Sequence, residues 1–74
     1  MTLSPTSYVH IDYTNYRGKR RFRLVQPQSL WFGKTQWHPK EQWFLRALDL
    51  DKGVVRDFAF IDIRTWWPYE DEPT

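Results

Sequence analysis

The chain of 74 residues contains no cysteine, only three glycines and a single methionine. Without cysteine it can form no disulfide and offers no thiolate ligand to zinc, so its stability has to come from packing. No stretch of the sequence reaches the roughly 18 apolar residues that a membrane-spanning helix needs, and residues 1–7 lack the basic and apolar regions of a signal peptide. We therefore expect a complete, soluble chain in the reducing cytoplasm.

Aromatic side chains are abundant instead, with five Trp, five Phe and four Tyr making up 19% of the chain. A domain of this length buries only about 60% of the surface of its unfolded chain, so large side chains are needed to fill its core. Most of these rings are therefore expected to pack inside one small domain. Only rings beside a charged cluster are candidates for binding a ligand.

The charges are unevenly distributed along the chain. The formal net charge is +2, but three of the nine acidic residues lie at positions 70–72, whereas all 11 basic residues precede position 65. The body of the chain is thus basic, which favours a partner that carries phosphate or carboxylate. We expect a lead-in over residues 1–7, one domain over residues 8–67 and an acidic tail over residues 68–74.

Alternating apolar and polar positions, separated by turn residues, predict an all-β domain of about five short strands. The predicted strands cover residues 8–13, 19–26, 29–32, 42–50 and 54–63. Turns at Asn15 to Gly18 and at Asp51 to Gly53 make hairpins of the first two and the last two strands. No apolar stripe of helical period is long enough to predict a helix, so the expected architecture is a small barrel.

The alternation also predicts which side chains face the core. In the first strand these are Val9, Ile11 and Tyr13. In the second strand they are Phe22 and Leu24, which leaves Arg21, Arg23 and Val25 on the opposite side. A one-residue bulge would exchange these faces, and Pro27, which cannot donate to a sheet ladder, either ends the strand or lies at such a bulge.

A basic and aromatic cluster is the strongest candidate for a binding site. Five of the seven residues from 17 to 23 are basic and none is acidic. Arginine binds phosphate through two parallel hydrogen bonds, and aromatic rings stack on bases. The predicted ligand is a single-stranded nucleic acid or a nucleotide, and the candidate binding residues are Tyr13, Arg17, Lys19, Arg21, Arg23, Phe44 and Arg56. Alternatively, the basic strand only keeps a sheet edge from pairing with other molecules.

The order of these features resembles the WYL domain of bacterial regulators over about residues 8–64. An extended Tyr13 precedes a glycine turn, and Arg23 lies shortly before Pro27. An aromatic–aromatic–Leu triplet and an Arg-x-Phe motif follow, at Trp43-Phe44-Leu45 and Arg56-Asp57-Phe58. Phe44 stands at the tyrosine of the family triplet, and Asp62 stands where an arginine is common.

The resemblance to WYL domains implies a fold and a role. The implied fold is an SH3-like or Sm-like barrel, and Arg23 and Arg56 match the paired arginines of the family. Family members usually follow a helix-turn-helix segment and sense a ligand for a transcription regulator. This chain has no such segment, so it would bind nucleic acid through its own surface or act as a separate regulatory module on a larger protein.

Catalysis is not predicted. None of the serines is paired in the sequence pattern with a base that could activate it, and His10 and His38 are isolated from one another. Asp49 and Asp51 flank an exposed turn, whereas paired acid–base carboxylates need burial. The same turn lacks the glutamate that closes a calcium loop. We therefore expect neither a catalytic residue nor a metal or other cofactor.

A protein-interaction module is the alternative function. Trp66 and Trp67 lie near the end of the domain, beside the acidic tail. They are expected to fold back and close the barrel, or else to form an apolar patch through which a small phage-like or defence-associated regulator docks on a partner. Salt dependence separates the two functions, because phosphate binding weakens steeply with ionic strength. The oligomeric state is not predicted.

Overall fold

The protein is seen in a computed structural model that describes residues 7–69, and this part is nearly all β-strand. The strands are β1 Val9–Thr14, β2 Arg20–Gly33, β3 Gln42–Asp49, β4 Val54–Ala59 and β5 Ile63–Pro68, with a 3-10 turn at Phe60–Asp62. They form one antiparallel sheet in the order β4-β3-β2-β1-β5. The predicted all-β class and the number of strands are confirmed.

The sheet curls around one core. Its buried members are Ile11, Tyr13, Val25, Leu45, Ala47 and Phe58. The rings of Tyr13 and Phe58 meet edge to face with their centroids 4.9 Å apart, although β2 and β3 lie between their strands in the sheet. Only a strongly curved sheet brings such strands together, so the fold is the small barrel that was predicted.

The second strand is one long strand where two short ones were predicted. A bulge between Pro27 and Ser29 joins the two halves, which was one of the two roles considered for the proline. The extra residue reverses the alternation of faces. The prediction that Phe22 faces the core is therefore wrong, since Phe22 is 65% exposed and Val25 is fully buried.

The end of the domain also differs from the prediction. The strand expected over residues 54–63 stops at Ala59, and the 3-10 turn leads into β5, which pairs with β1. Trp66 and Trp67 belong to this edge strand and are about half exposed. They do not fold back to close the barrel, so that expectation is wrong. The alternative expectation, an exposed aromatic patch, describes them better.

The domain extends slightly beyond the predicted boundary at residue 67. Pro68 pairs with Val9 in the sheet, and the N–H of Tyr69 donates to the carbonyl of Tyr8 at 3.0 Å. The rest of the predicted acidic tail, residues 70–74, and all but the last residue of the predicted lead-in lie outside the described part of the chain.

Candidate ligand-binding site

The turn between β1 and β2 is held by Asn15. Its side-chain oxygen accepts the N–H groups of Arg17 and Lys19, each at 2.9 Å, and Gly18 adopts a φ of 82°, which favours glycine. Tyr16 is half exposed in this turn, and Arg17 donates from its Nε to the Tyr16 hydroxyl at 3.0 Å. The predicted Asn–Gly turn is thus present, and it presents an aromatic ring to solvent.

Arg23 of β2 and Arg56 of β4 approach the same carboxylate. Arg23 lies on the same side of the sheet as Val25, and Arg56 is paired with the buried Ala47. Each places a guanidinium nitrogen near Oδ2 of Asp49, at 3.7 Å for Arg23 and 3.6 Å for Arg56. The arginine pair identified from the sequence is therefore adjacent in space, on either side of one carboxylate.

Asp49 is fully buried behind these arginines. Its Oδ1 accepts the N–H groups of Asp51 at 3.0 Å and Lys52 at 3.3 Å, which shapes the turn from β3 to β4. Among residues 7–69 its Oδ2 has no hydrogen-bond partner, because both guanidinium groups lie beyond hydrogen-bond distance. Asp49 was expected only at an exposed turn, and its burial corrects that expectation.

A basic concavity opens in front of the arginine pair. The residues that line it are Tyr13, Asn15, Lys19, Arg21, Arg23, Arg56 and Phe58. Four of these seven residues are cationic, and none is acidic. Its enclosed volume is only about 10 Å³, so an anion would rest on its rim rather than enter it.

An aromatic groove of about 500 Å³ adjoins this basic concavity and shares Tyr13, Asn15, Arg56 and Phe58 with it. One wall is β4, and the other is the loop from β2 to β3. At the rim, the rings of Tyr16 and Trp37 stack with their centroids 4.8 Å apart and their planes 21° from parallel. This volume is within the usual range for small-molecule sites.

Thr35 builds the loop that carries Trp37. Its hydroxyl accepts the N–H groups of Trp37 and His38 at 3.2 and 3.1 Å, and its backbone exchanges two hydrogen bonds with His38. His38 packs against Phe44, with the ring centroids 5.7 Å apart. The loop is therefore anchored to β3 and holds Trp37 opposite Tyr16.

Two acidic residues on strands that contribute to the site, Asp57 of β4 and Asp12 of β1, are already engaged. Asp57 lines the aromatic groove, and its Oδ1 accepts from Trp31 Nε1 at 2.8 Å and Arg46 Nε at 3.0 Å. Asp12 accepts two parallel hydrogen bonds from Arg20, at 2.8 and 2.6 Å. The hydrogen bonds from Arg20 hold the pKa of Asp12 below its usual value, although burial opposes this effect.

Tyr13 joins the barrel core to the basic concavity. Burial raises the pKa of its phenol above the ordinary value, and a hydrogen bond with the backbone of Ala59 offsets part of this effect. The ring is only 7% exposed. Tyr13 therefore forms the floor of the concavity and offers no free ring face for stacking.

The structure brings together five of the seven predicted binding residues. Tyr13, Lys19, Arg21, Arg23 and Arg56 all line the basic concavity. Arg17 does not line it and instead lies over the Tyr16 ring, 5.4 Å from the ring centroid. Phe44 is fully buried and stacks on Trp31 with centroids 4.7 Å apart, so its ring presents no exposed face to a ligand.

Several residues of the aromatic groove were not selected from the sequence. The main ones are Thr35, Trp37, His38 and Val55. The isolated tryptophan within the longest polar loop was a usable signal for Trp37. Nothing in the linear pattern places that loop opposite Tyr16, because 20 residues separate the two rings along the chain.

Comparisons of the chain with protein-family models, curated proteins and solved structures found no match. Over residues 7–69 no helix is long and apolar enough to cross a membrane. Within the same range, no three potential metal-binding side chains of His, Asp or Glu come together.

Proposed function

We propose that this protein is a non-catalytic regulatory module that binds single-stranded nucleic acid or a nucleotide in the cytoplasm. The observation that carries the proposal is the basic concavity with its four cationic side chains beside the aromatic groove. We retain the resemblance to WYL domains as part of this proposal. It accounts for the paired arginines and suggests a role in sensing a ligand.

The basic concavity suits a phosphate group. Lys19 and Arg21 lie at the exposed rim. Arg21 donates to the carbonyl of Arg20 at 3.0 Å, an exposed hydrogen bond that it can exchange for one to an anion. Arg23 and Arg56 form its inner part, where neither lies within hydrogen-bond distance of Asp49 and both add positive charge beneath an anion at the rim. Multiple cationic donors converging on one point are the arrangement that binds phosphate most strongly.

The aromatic groove suits a base or a short run of bases. Trp37 and Tyr16 are both about half exposed, and a flat ring could stack on the outer face of their pair. Each stacked base is worth about 1–3 kcal/mol by alanine substitution. Because the groove shares four residues with the basic concavity, one ligand can place its phosphate and its base in the two parts together.

Electrophoretic mobility of single-stranded DNA and RNA of about ten nucleotides tests this proposal at about 50 and 200 mM salt. We expect binding to weaken steeply with salt. Lys19→Ala and Arg21→Ala should each weaken it and flatten the salt slope by about 0.7, the value for one phosphate contact on a single strand. Lys40→Ala removes the same charge from an exposed position outside both cavities and serves as the control.

A second pair of variants tests the aromatic groove. Trp37 and Trp43 are 55% and 53% exposed, but only Trp37 lines the groove. Trp37→Ala should cost about 1–3 kcal/mol of binding, while Trp43→Ala should cost little. Equal effects of the two changes would contradict the assignment of the groove, and a parent protein that binds neither nucleic acid nor nucleotide would refute the proposed function.

Docking to a protein is the second candidate, and one observation favours it. Trp66, Trp67 and Pro68 of β5 line an apolar groove of about 440 Å³ together with Val9, Pro27, Leu30, Leu45 and Phe60. Exposed apolar surfaces of this kind often mark interfaces. Partner binding that survives high salt and is lost in Trp66→Ala would favour this function over nucleic-acid binding.

A further inference from the structure

We propose that Asp49 is an internal counter-anion that lowers the affinity of the arginine pair for phosphate and thereby sets the affinity of the site. This inference rests on the proposed function of the basic concavity. Asp49 does not line the concavity and, being fully buried, does not touch a ligand there. It acts through Arg23 and Arg56 and is a positioning residue.

The geometry places the three charges in one group. Oδ2 of Asp49 lies 3.7 Å from a guanidinium nitrogen of Arg23 and 3.6 Å from one of Arg56. The side chain of Arg23 is 17% exposed and that of Arg56 is 37% exposed, whereas Asp49 is fully buried. A ligand can therefore reach the two arginines but not the carboxylate. Two positive charges and one negative charge leave a single net positive charge for an anion.

The two carboxylate oxygens of Asp49 have different roles. Oδ1 accepts the N–H groups of Asp51 and Lys52 and so shapes the turn, which a neutral acceptor can also do. Oδ2 has no hydrogen-bond partner within the described part of the chain, and its ion pairs there are with Arg23 and Arg56. The structure of the turn and the charge of the site can therefore be changed separately at this one residue.

Asp49→Asn separates these roles, because the amide keeps an oxygen for the turn and loses the charge. Removing a negative charge about 7 Å from a bound phosphate should tighten binding about tenfold, for an effective dielectric constant between those of water and the protein surface. The probe is a 5′-phosphorylated oligothymidylate of about ten nucleotides. The salt slope should steepen by about 0.7, as expected for one further effective charge.

Asp51→Asn is the matched control. It removes the same formal charge two residues away, from an exposed side chain in the same turn. Because an exposed charge is screened by solvent and salt, its loss should change affinity by less than about twofold. Equal effects of Asp49→Asn and Asp51→Asn would mean that only net charge matters, and would overturn the proposal.

Charge compensation gives a readout that a merely structural role of Asp49 would not change. Arg56→Gln leaves one arginine opposite Asp49, with no net charge, and should weaken binding about tenfold or more. Adding Asp49→Asn to this variant restores one net positive charge and should return the affinity to within about threefold of the parent. Failure of this rescue in a folded double variant would contradict the counter-anion role.

The parent protein and the rim variants keep the two proposals distinguishable. If the parent binds the oligothymidylate and Arg21→Ala weakens it, but a folded Asp49→Asn protein binds no more tightly than the parent, the counter-anion inference fails and the proposed function stands. If neither the parent nor the Asp49→Asn protein binds, both fail. Should Asp49→Asn not fold, Asp49→Ser retains an oxygen for the turn and takes its place in each assay.

Discussion

Removing both Arg23 and Arg56 should destabilise the fold because of what it leaves behind. The carboxylate of Asp49 is fully buried, and these two arginines are its ion-pair partners. Removing one partner leaves the other within 4 Å, so each single change to Ala should cost only about 1 kcal/mol. The double change leaves a buried unpaired charge, for which costs of about 3–5 kcal/mol are typical. We expect a cost of about 3 kcal/mol, at the lower end of this range, because the distances from both guanidinium groups to Asp49 Oδ2 exceed hydrogen-bond length.

Urea denaturation, followed by the fluorescence of the five tryptophans, measures this cost. A loss of about 3 kcal/mol in a domain of this size corresponds to a fall in Tm of roughly 12–24 °C. In an Asp49→Asn background the same double change should cost less than about 1 kcal/mol, since no charge is left unpaired. Equal losses in both backgrounds, or none in either, would show that the cost does not come from an unpaired Asp49 carboxylate. Binding measured on the double variant is therefore interpretable only in the Asn background.

Three further predictions concern other parts of the chain. Arg20 lowers the pKa of Asp12 in the folded protein. The stabilisation from this pair is therefore present above the unfolded-state pKa of about 4 and is lost as the pH falls through the lower folded-state pKa. In urea titrations, Arg20→Ala should be less stable than the parent at about pH 6 and should match it below both pKa values. A Cβ on Gly33 would lie 2.6 Å from the ring of Trp31, which is held by its hydrogen bond to Asp57 and its stacking on Phe44, so Gly33→Ala should cost about 1–3 kcal/mol in the same assay. Deleting residues 70–74, which hold three acidic side chains, should leave the thermal transition unchanged and tighten nucleic-acid binding; unchanged or weaker binding would count against a competing acidic tail.

Local signals predicted the parts of the fold that depend on local chemistry. The turn at Asn15 and Gly18 and the turn ending at Gly53 both need a glycine with positive φ, and both were predicted correctly. The inner face of β1 was also correct, since its alternation is regular. These features are set within a few residues, so the sequence alone can reveal them.

The faces of β2 depended on pairing and could not be settled locally. The strand has two alternating sets of residues, Phe22 with Leu24 and Arg23 with Val25. Each set contains an apolar side chain, so either set could have faced the core. The bulge between Pro27 and Ser29 decided the outcome, and a bulge is fixed by the register against β3 rather than by the residues of β2. Strand β5 was not predicted as a separate strand, because the turn that separates it from β4 contains no glycine or proline to mark it.

Phe44 was selected from its motif as a candidate ring for ligand contact, and the structure buries it instead. The motif Trp43-Phe44-Leu45 forms part of β3, where Phe44 and Leu45 are buried on opposite faces. Leu45 joins the barrel core, whereas Phe44 contacts Trp31 and the ring of His38 in the loop from β2 to β3.

Because that loop carries Trp37 to its place against Tyr16, Phe44 shapes the aromatic groove without touching its interior. Asp49 stands in the same relation to the basic concavity, since it is buried behind two of the arginines that line it. At both parts of the site, the side chains at the surface are positioned by a buried residue of β3. Strand β3, which lies between β4 and β2, therefore links the barrel core to the geometry of both cavities.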